Sequence, residues 1–135
     1  MSWLIPTGGY VLCVGSIGVT SKLALETLSW PDLVLWSGIC YVPVVAALVH
    51  GGHARLRLGP GGGWAIAAAA AAIGGLVAAY IALGEGDASQ VVPVAASYPA
   101  VTLLLSALLL GERLSPGRVL GVALVICGVV VITID

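Results

Sequence analysis

Charge is what this sequence has least of. Of its 135 residues only 8% are charged, five basic and six acidic, for a net charge of −1. A water-exposed globule of this length carries about a quarter charged residues, because its surface faces solvent. Eleven charges cannot cover such a surface, so the composition excludes an ordinary soluble domain. Phe is absent. No acidic residue lies in the middle of any long apolar run, which excludes a proton relay through a central carboxylate. There is no nucleophile elbow, no H-E-x-x-H and no Ser, His and Asp arrangement suited to triad chemistry, so no enzyme activity is expected. No pattern for a bound cofactor occurs, and no basic patch or arm suits nucleic acid. Cys13, Cys40 and Cys127 lie in apolar runs without C-x-x-C spacing and read as small packing residues rather than a disulfide framework. Met1-Ser2-Trp3-Leu4 lacks a positive leader region, so a cleavable signal is not expected.

What is present is apolar and small. Hydrophobic residues make up 60% of the chain, there are 19 glycines, and mean hydropathy is +1.14. Lipid is the solvent that makes this composition workable, and small residues let membrane helices approach closely. A span needs about 20 apolar residues. Five such runs stand between charges and turn signals, at about 4–21, 31–49, 64–83, 91–110 and 117–134. In lipid each backbone N–H and C=O must be paired within its own segment or in a closed barrel. Strand-like alternation over ten-residue blocks is missing, so the barrel drops out. The expected fold is an all-α membrane protein of five transmembrane helices, with 1–135 forming a single membrane domain.

Punctuation agrees with these runs. Ser115-Pro116 supplies an N-cap and a proline at the first helical position, and Asp87 or Ser89 can cap the fourth helix. Ser29-Trp30-Pro31-Asp32 opens the second, and Gly111 sits where a helix C-terminus favours it. Gly51-Gly52 and Gly59 to Gly63 bracket the longest loop, a connector lacking the G-x-x-x-x-G-K-[ST] of a phosphate cradle. One side of the membrane receives the N-terminus, Arg55, Arg57, Arg113 and Arg118; the other receives only Lys22. That bias argues for a cytoplasmic N-terminus in a prokaryotic plasma membrane.

Function must then sit on the polar and small faces. At 100° per residue, Gly8, Gly15, Gly18 and Lys22 share a face of the first helix. Trp36, Cys40, Pro43, Ala47 and His50 form a stripe on the second. Ala68, Ala71, Gly75, Ala78 and Ala82 form a smooth face on the third, with Tyr80 on its other side, and read as packing. Pro93 and Pro99 each remove an internal hydrogen bond from the fourth helix. Gln90, Ser97 and Tyr98 lie beside that kink. Broken helices line substrate paths in transporters, though a kink satisfied by neighbouring Ser and Thr fits the same residues. Lys22 has two readings as well: its stem snorkels to the interface, or its ammonium faces inward toward an anionic group or Glu26. His50 and His53 lack further ligands at metal spacing and read as interface histidines, so no metal is expected. On the fifth helix Gly117, Gly121 and Gly128 fall on one line, the first two as G-x-x-x-G, a helix–helix packing face.

The stretch from Leu83 through Gly86-Asp87-Ala88-Ser89 to Pro93, then Leu110-Gly111-Glu112-Arg113-Leu114-Ser115 and a Gly-rich last span, resembles the EamA domain of the drug/metabolite transporter superfamily. The combined pattern GDAS.V.P, LGE.LS and G..L...G covers about the last 55 residues. The earlier spans match in length, spacing and the lysine ending the first helix. The resemblance implies a transporter of small metabolites or drug-like solutes. It also implies that this chain is one stand-alone five-helix repeat, where the usual member has two. Repeats with an odd number of spans lie inverted in the membrane with the substrate cavity between them. The chain is therefore expected to work as an oligomer, a homodimer or a pair with a related inverted partner. Gly121 and Gly128-Val129 have the spacing of the motif by which the last helix of the small multidrug resistance proteins dimerises, so Gly117, Gly121 and Gly128 are the expected interface. Lys22, Trp36, Gln90, Ser97 and Tyr98 are the expected substrate-binding residues. Two departures stand out. The first helix lacks the embedded glutamate that couples protons in the multidrug proteins, and the arginine bias opposes the dual topology of an antiparallel homodimer. Two other roles remain open at this point: a non-transporting assembly subunit of the membrane, or a component of a lipid-carrier flippase.

Overall fold

Apolar runs of this length can satisfy their backbone in lipid only by closing every hydrogen bond locally, and helices result. The computed structural model describes residues 4–53, 59 and 61–134. Its elements are α1 (Leu4–Leu25), α2 (Trp30–His50), α3 (Gly62–Glu85), α4 (Ala88–Ala95), α5 (Tyr98–Leu109) and α6 (Pro116–Ile134). Among the described residues five segments are long and apolar enough to cross a membrane, α4 and α5 together forming one of them, Ala88–Leu109. The all-helical, five-span expectation holds.

The boundaries moved where charge and hydrogen bonding obey different rules. The sequence ends its first span at residue 21, before Lys22, whereas α1 continues to Leu25. A charge interrupts hydropathy but not the i to i−4 ladder, and the lysine has an acceptor on another helix, described below. Gly62 and Gly63, expected in the loop, begin α3. Asp87 occupies the N-cap of α4, yet its side chain makes no capping bond; its carbonyl accepts the N–H groups of Gln90 (3.0 Å) and Val91 (2.9 Å) instead. Ser29 caps α2, and its backbone N–H donates to the Asp32 carboxylate at 3.1 Å. After α5 the chain reverses through Gly111 at φ +64, a left-handed conformation that a side chain disfavours. The Glu112 N–H then reaches back to the Ser106 carbonyl at 3.2 Å. Arg55 and Arg57, two of the four arginines on which the expected orientation rests, lie outside the described residues.

The chain divides into two units, 1–85 and 86–135. In the first, α3 packs against both α1 and α2, which also touch each other. Its buried residues are Gly18, Ser21, Leu33, Tyr80 and Leu83. All five lie where the C-terminal part of α1, the start of α2 and the C-terminal part of α3 meet. Away from that end, described positions 5–17 of α1, 38–50 of α2 and 63–75 of α3 are all exposed. The three helices are thus gathered at one end and open toward the other. The Ala68, Ala71, Gly75 and Ala78 face, read as packing, is exposed within this chain; only the last turns of α3 find neighbours.

In the second unit α6 packs against α4 and α5. The break between α4 and α5 follows from proline chemistry. Pro99 has no N–H to offer the Ala95 carbonyl, and its ring crowds the preceding turn. The chain tightens there: Ser97 N–H donates to Val94 O at 3.1 Å and Ala100 N–H to Ser97 O at 3.0 Å, both at i−3 spacing. The Ser97 hydroxyl bonds the same Val94 carbonyl at 2.6 Å. Back-bonding of this kind recurs at Thr20, Ser106 and Thr133 and gives each hydroxyl a partner where lipid offers none.

Candidate functional site

The opening of the first unit creates a groove of about 450 Å³. From α1 it takes Thr20 and Ser21, from α2 Trp36, Ser37, Cys40 and Tyr41, and from α3 Tyr80, on a floor of aliphatic side chains that includes Leu33 and Leu76. None of its lining residues is Asp, Glu, Lys, Arg or His.

The polar centre of the groove is a hydroxyl pair. Ser37 Oγ lies 2.8 Å from the Tyr80 hydroxyl and 2.9 Å from the Leu33 carbonyl. Serine has one proton, and a carbonyl can only accept. Ser37 therefore donates to Leu33, and Tyr80 donates to Ser37. Tyr80 is 6% exposed, so this bond fixes the ring at the packed end of the unit. The third helix, read from sequence as mere packing, supplies the residue at the centre of the polar cluster. The signal was there in hindsight: between Trp64 near its start and Glu85 at its end, Tyr80 is the one residue of the helix that is not Ala, Gly or aliphatic.

Lys22 does not line the groove. Its ammonium donates to the Leu83 carbonyl at 2.9 Å, two residues before the end of α3, among the carbonyls a helix C-terminus leaves without intrahelical partners. The interaction joins α1 to α3 and places a positive charge at the negative end of the helix dipole. Trp36 lines the groove and is 59% exposed.

The remaining predicted binding residues belong to the second unit. Gln90 is exposed on α4, Ser97 is half-buried at the break, and Tyr98, which opens α5, is 54% exposed. Pro93 lies inside α4, and Pro99 is the second residue of α5. Tyr98 and Pro99, with Thr102, Ser106, Glu112 and Arg118, line a second open cavity of about 460 Å³. The predicted interface glycines Gly117, Gly121 and Gly128 lie on α6, and a Cβ built on any of them meets nothing within 4 Å. The same holds for Gly8 and Gly15 of α1, whereas Gly18 is buried. Among the described residues, none lies within reach of a Cβ added at Gly8, Gly15, Gly117, Gly121 or Gly128.

Five apolar spans, hydroxyls satisfied on helix carbonyls and a broken fourth span define a polytopic α-helical integral membrane protein. Comparison with known families makes this specific: the EamA-like transporter family matches residues 2–134, and the chain belongs to that family. An uncharacterized protein of Methanocaldococcus jannaschii is 38% identical over 72 residues, 53% of each chain. The match thus spans about half the length of that relative. No solved structure matches.

Proposed function

We propose that the protein transports small metabolites or drug-like solutes across a prokaryotic plasma membrane by alternating access, as an oligomer of single five-span repeats. The observation that carries this reading is the family match over essentially the whole chain. Two structural features support it. The first unit holds a groove with a hydroxyl pair and aromatic side chains within membrane-spanning helices, and such polar groups within a span mark binding sites. The fourth span is broken at Ser97 between two prolines, and discontinuous helices supply backbone carbonyls to transport pathways. Trp36 serves the first feature; Gln90, Ser97 and Tyr98 serve the second. Lys22 anchors the helices beside the groove.

Oligomerisation follows from span number. Five spans place the two ends of this repeat on opposite sides of the membrane, which supports pairing with a second, inverted repeat. Gly117, Gly121 and Gly128 are free of neighbours among the described residues and offer α6 as the contact helix. The bias of basic residues supports a cytoplasmic N-terminus and a related inverted partner rather than an antiparallel homodimer.

Transport is tested by uptake into proteoliposomes containing the full chain, alone and with its inverted partner, against a broad panel of metabolites. Saturable uptake reduced by Trp36→Leu is expected. No uptake of any solute in either preparation refutes the transport reading and leaves an assembly role.

A further inference from the structure

The groove's hydrogen bonds point to the chemistry of its occupant. Resting on the transport reading for the route but not for binding, we propose that it selects solutes with an apolar or aromatic body and a donor-bearing head, an amine, amide or hydroxyl, and discriminates against carboxylates and phosphates. Three observations carry this.

The first is where the hydroxyl protons go. Thr20 Oγ1 donates to the Ser16 carbonyl at 2.9 Å. Ser37 donates to Leu33 and Tyr80 to Ser37. Three of the groove's hydroxyl protons are therefore directed at protein oxygens, and the lone pairs on those oxygens remain to accept. An arriving N–H or O–H finds acceptors. An arriving carboxylate finds lone pairs facing its own, with Ser21, the Tyr41 hydroxyl and the Trp36 indole N–H as the other polar hydrogens among the lining residues.

The second is charge. Among the described residues no cationic side chain lines the groove, and the ammonium nearest in sequence, Lys22, donates to the Leu83 carbonyl. An ion moved from water into this setting gives up hydration without a counter-charge, a cost a carboxylate bears in full and a protonated amine recovers only from the aromatic faces. The third is the aromatic lining. Trp36, Tyr41 and Tyr80 border the groove, and aromatic faces attract cations and repel anions through their quadrupole. The first and third observations favour a donor-bearing head, and the second and third disfavour an anionic one.

Cys40 lines the same groove and reports its occupancy. In a Cys13→Ala, Cys127→Ala background, the full chain in zwitterionic vesicles is labelled with a small water-soluble thiol reagent. Labelling is measured against phenethylamine, 2-phenylethanol and phenylacetate, which share a ring and differ in the head group. The amine and alcohol are expected to slow Cys40 labelling at concentrations at least tenfold below that needed for phenylacetate. Ser37→Ala and Trp36→Leu should each weaken protection by the amine several-fold. Trp36 is exposed, so its variant keeps the packed end of the unit intact and remains informative if Ser37→Ala fails to fold. Protection by phenylacetate equal to or better than that by the amine overturns the proposal, as does protection insensitive to both variants, or none from any probe. Uptake of an anionic solute in the panel above leaves transport standing while removing this selectivity, so the two failures are distinguishable.

Discussion

Replacing Lys22 by Met separates the two roles open to this lysine. Methionine keeps most of the apolar stem and removes the ammonium. In the structure that ammonium donates to the Leu83 carbonyl at 2.9 Å, and Leu83 is 3% exposed. A charged hydrogen bond contributes about 1.5–3 kcal/mol, and a cation at a partly buried helix C-terminus up to about 2 kcal/mol. These describe the same contact, so they are not summed. The half-buried setting of Lys22 favours the low end, about 1.5 kcal/mol. At 1.4 kcal/mol per factor of ten, Lys22→Met should shift the unfolding equilibrium about tenfold toward the unfolded state. Lys22→Arg, which keeps the charge and can reach the same carbonyl, should recover at least half of that loss. The assay is SDS titration of the full chain in mixed micelles, read by the fluorescence of its four tryptophans. Solute binding, read by Cys40 protection, should change less than threefold in Lys22→Met, because the ammonium does not line the groove. A stability change below twofold, together with lost solute binding, refutes the anchoring role and makes Lys22 a ligand.

Two further outcomes follow from the geometry. Ser37→Ala and Tyr80→Phe, alone and combined in the same unfolding assay, should show a coupling of about 0.6 kcal/mol, the average for hydrogen bonds between membrane helices; additivity within about 0.2 kcal/mol would mean the 2.8 Å contact contributes nothing. Gly121→Leu has open space for its side chain within the chain, so unfolding of the isolated protomer should move by less than about 0.5 kcal/mol, while association, followed by energy transfer between labelled chains in vesicles, should fall at least tenfold; unchanged association would remove α6 from the interface.

Much of this fold is legible without coordinates, because lipid simplifies the rules. Eleven charges in 135 residues and runs long enough to cross a bilayer leave helices as the solution, and each run lies within or closely overlaps a described helix or helix pair. A kink in the fourth span was also readable, since a proline without an N–H cannot close the bond to Ala95 wherever the helix lies. Turn residues behaved likewise: Gly111 takes the left-handed conformation that its place after an apolar run suggests. Family membership was legible for the same reason, in motifs clustered at span ends where side-chain choice is constrained.

The site was less legible. Helical projection placed Trp36 and Cys40 on one stripe, and both line the groove. It could not place Tyr80 there, because the angle at which α3 meets α2 is a property of packing between helices, not of either sequence. Nor could it decide Lys22, whose two readings differ only in what stands opposite. Sequence by itself determined the solvent, the number of spans, the proline kink of the fourth span and the family, all consequences of local backbone chemistry and hydropathy, while the break at Ser97 rather than at Pro93 was read from the structure. Tertiary structure alone decided that the first three helices gather at one end and open at the other, that Lys22 reaches the Leu83 carbonyl, and that Tyr80 and Ser37 are hydrogen-bonded. Those outcomes depend on distances between residues 43 and 61 positions apart, which only packing sets.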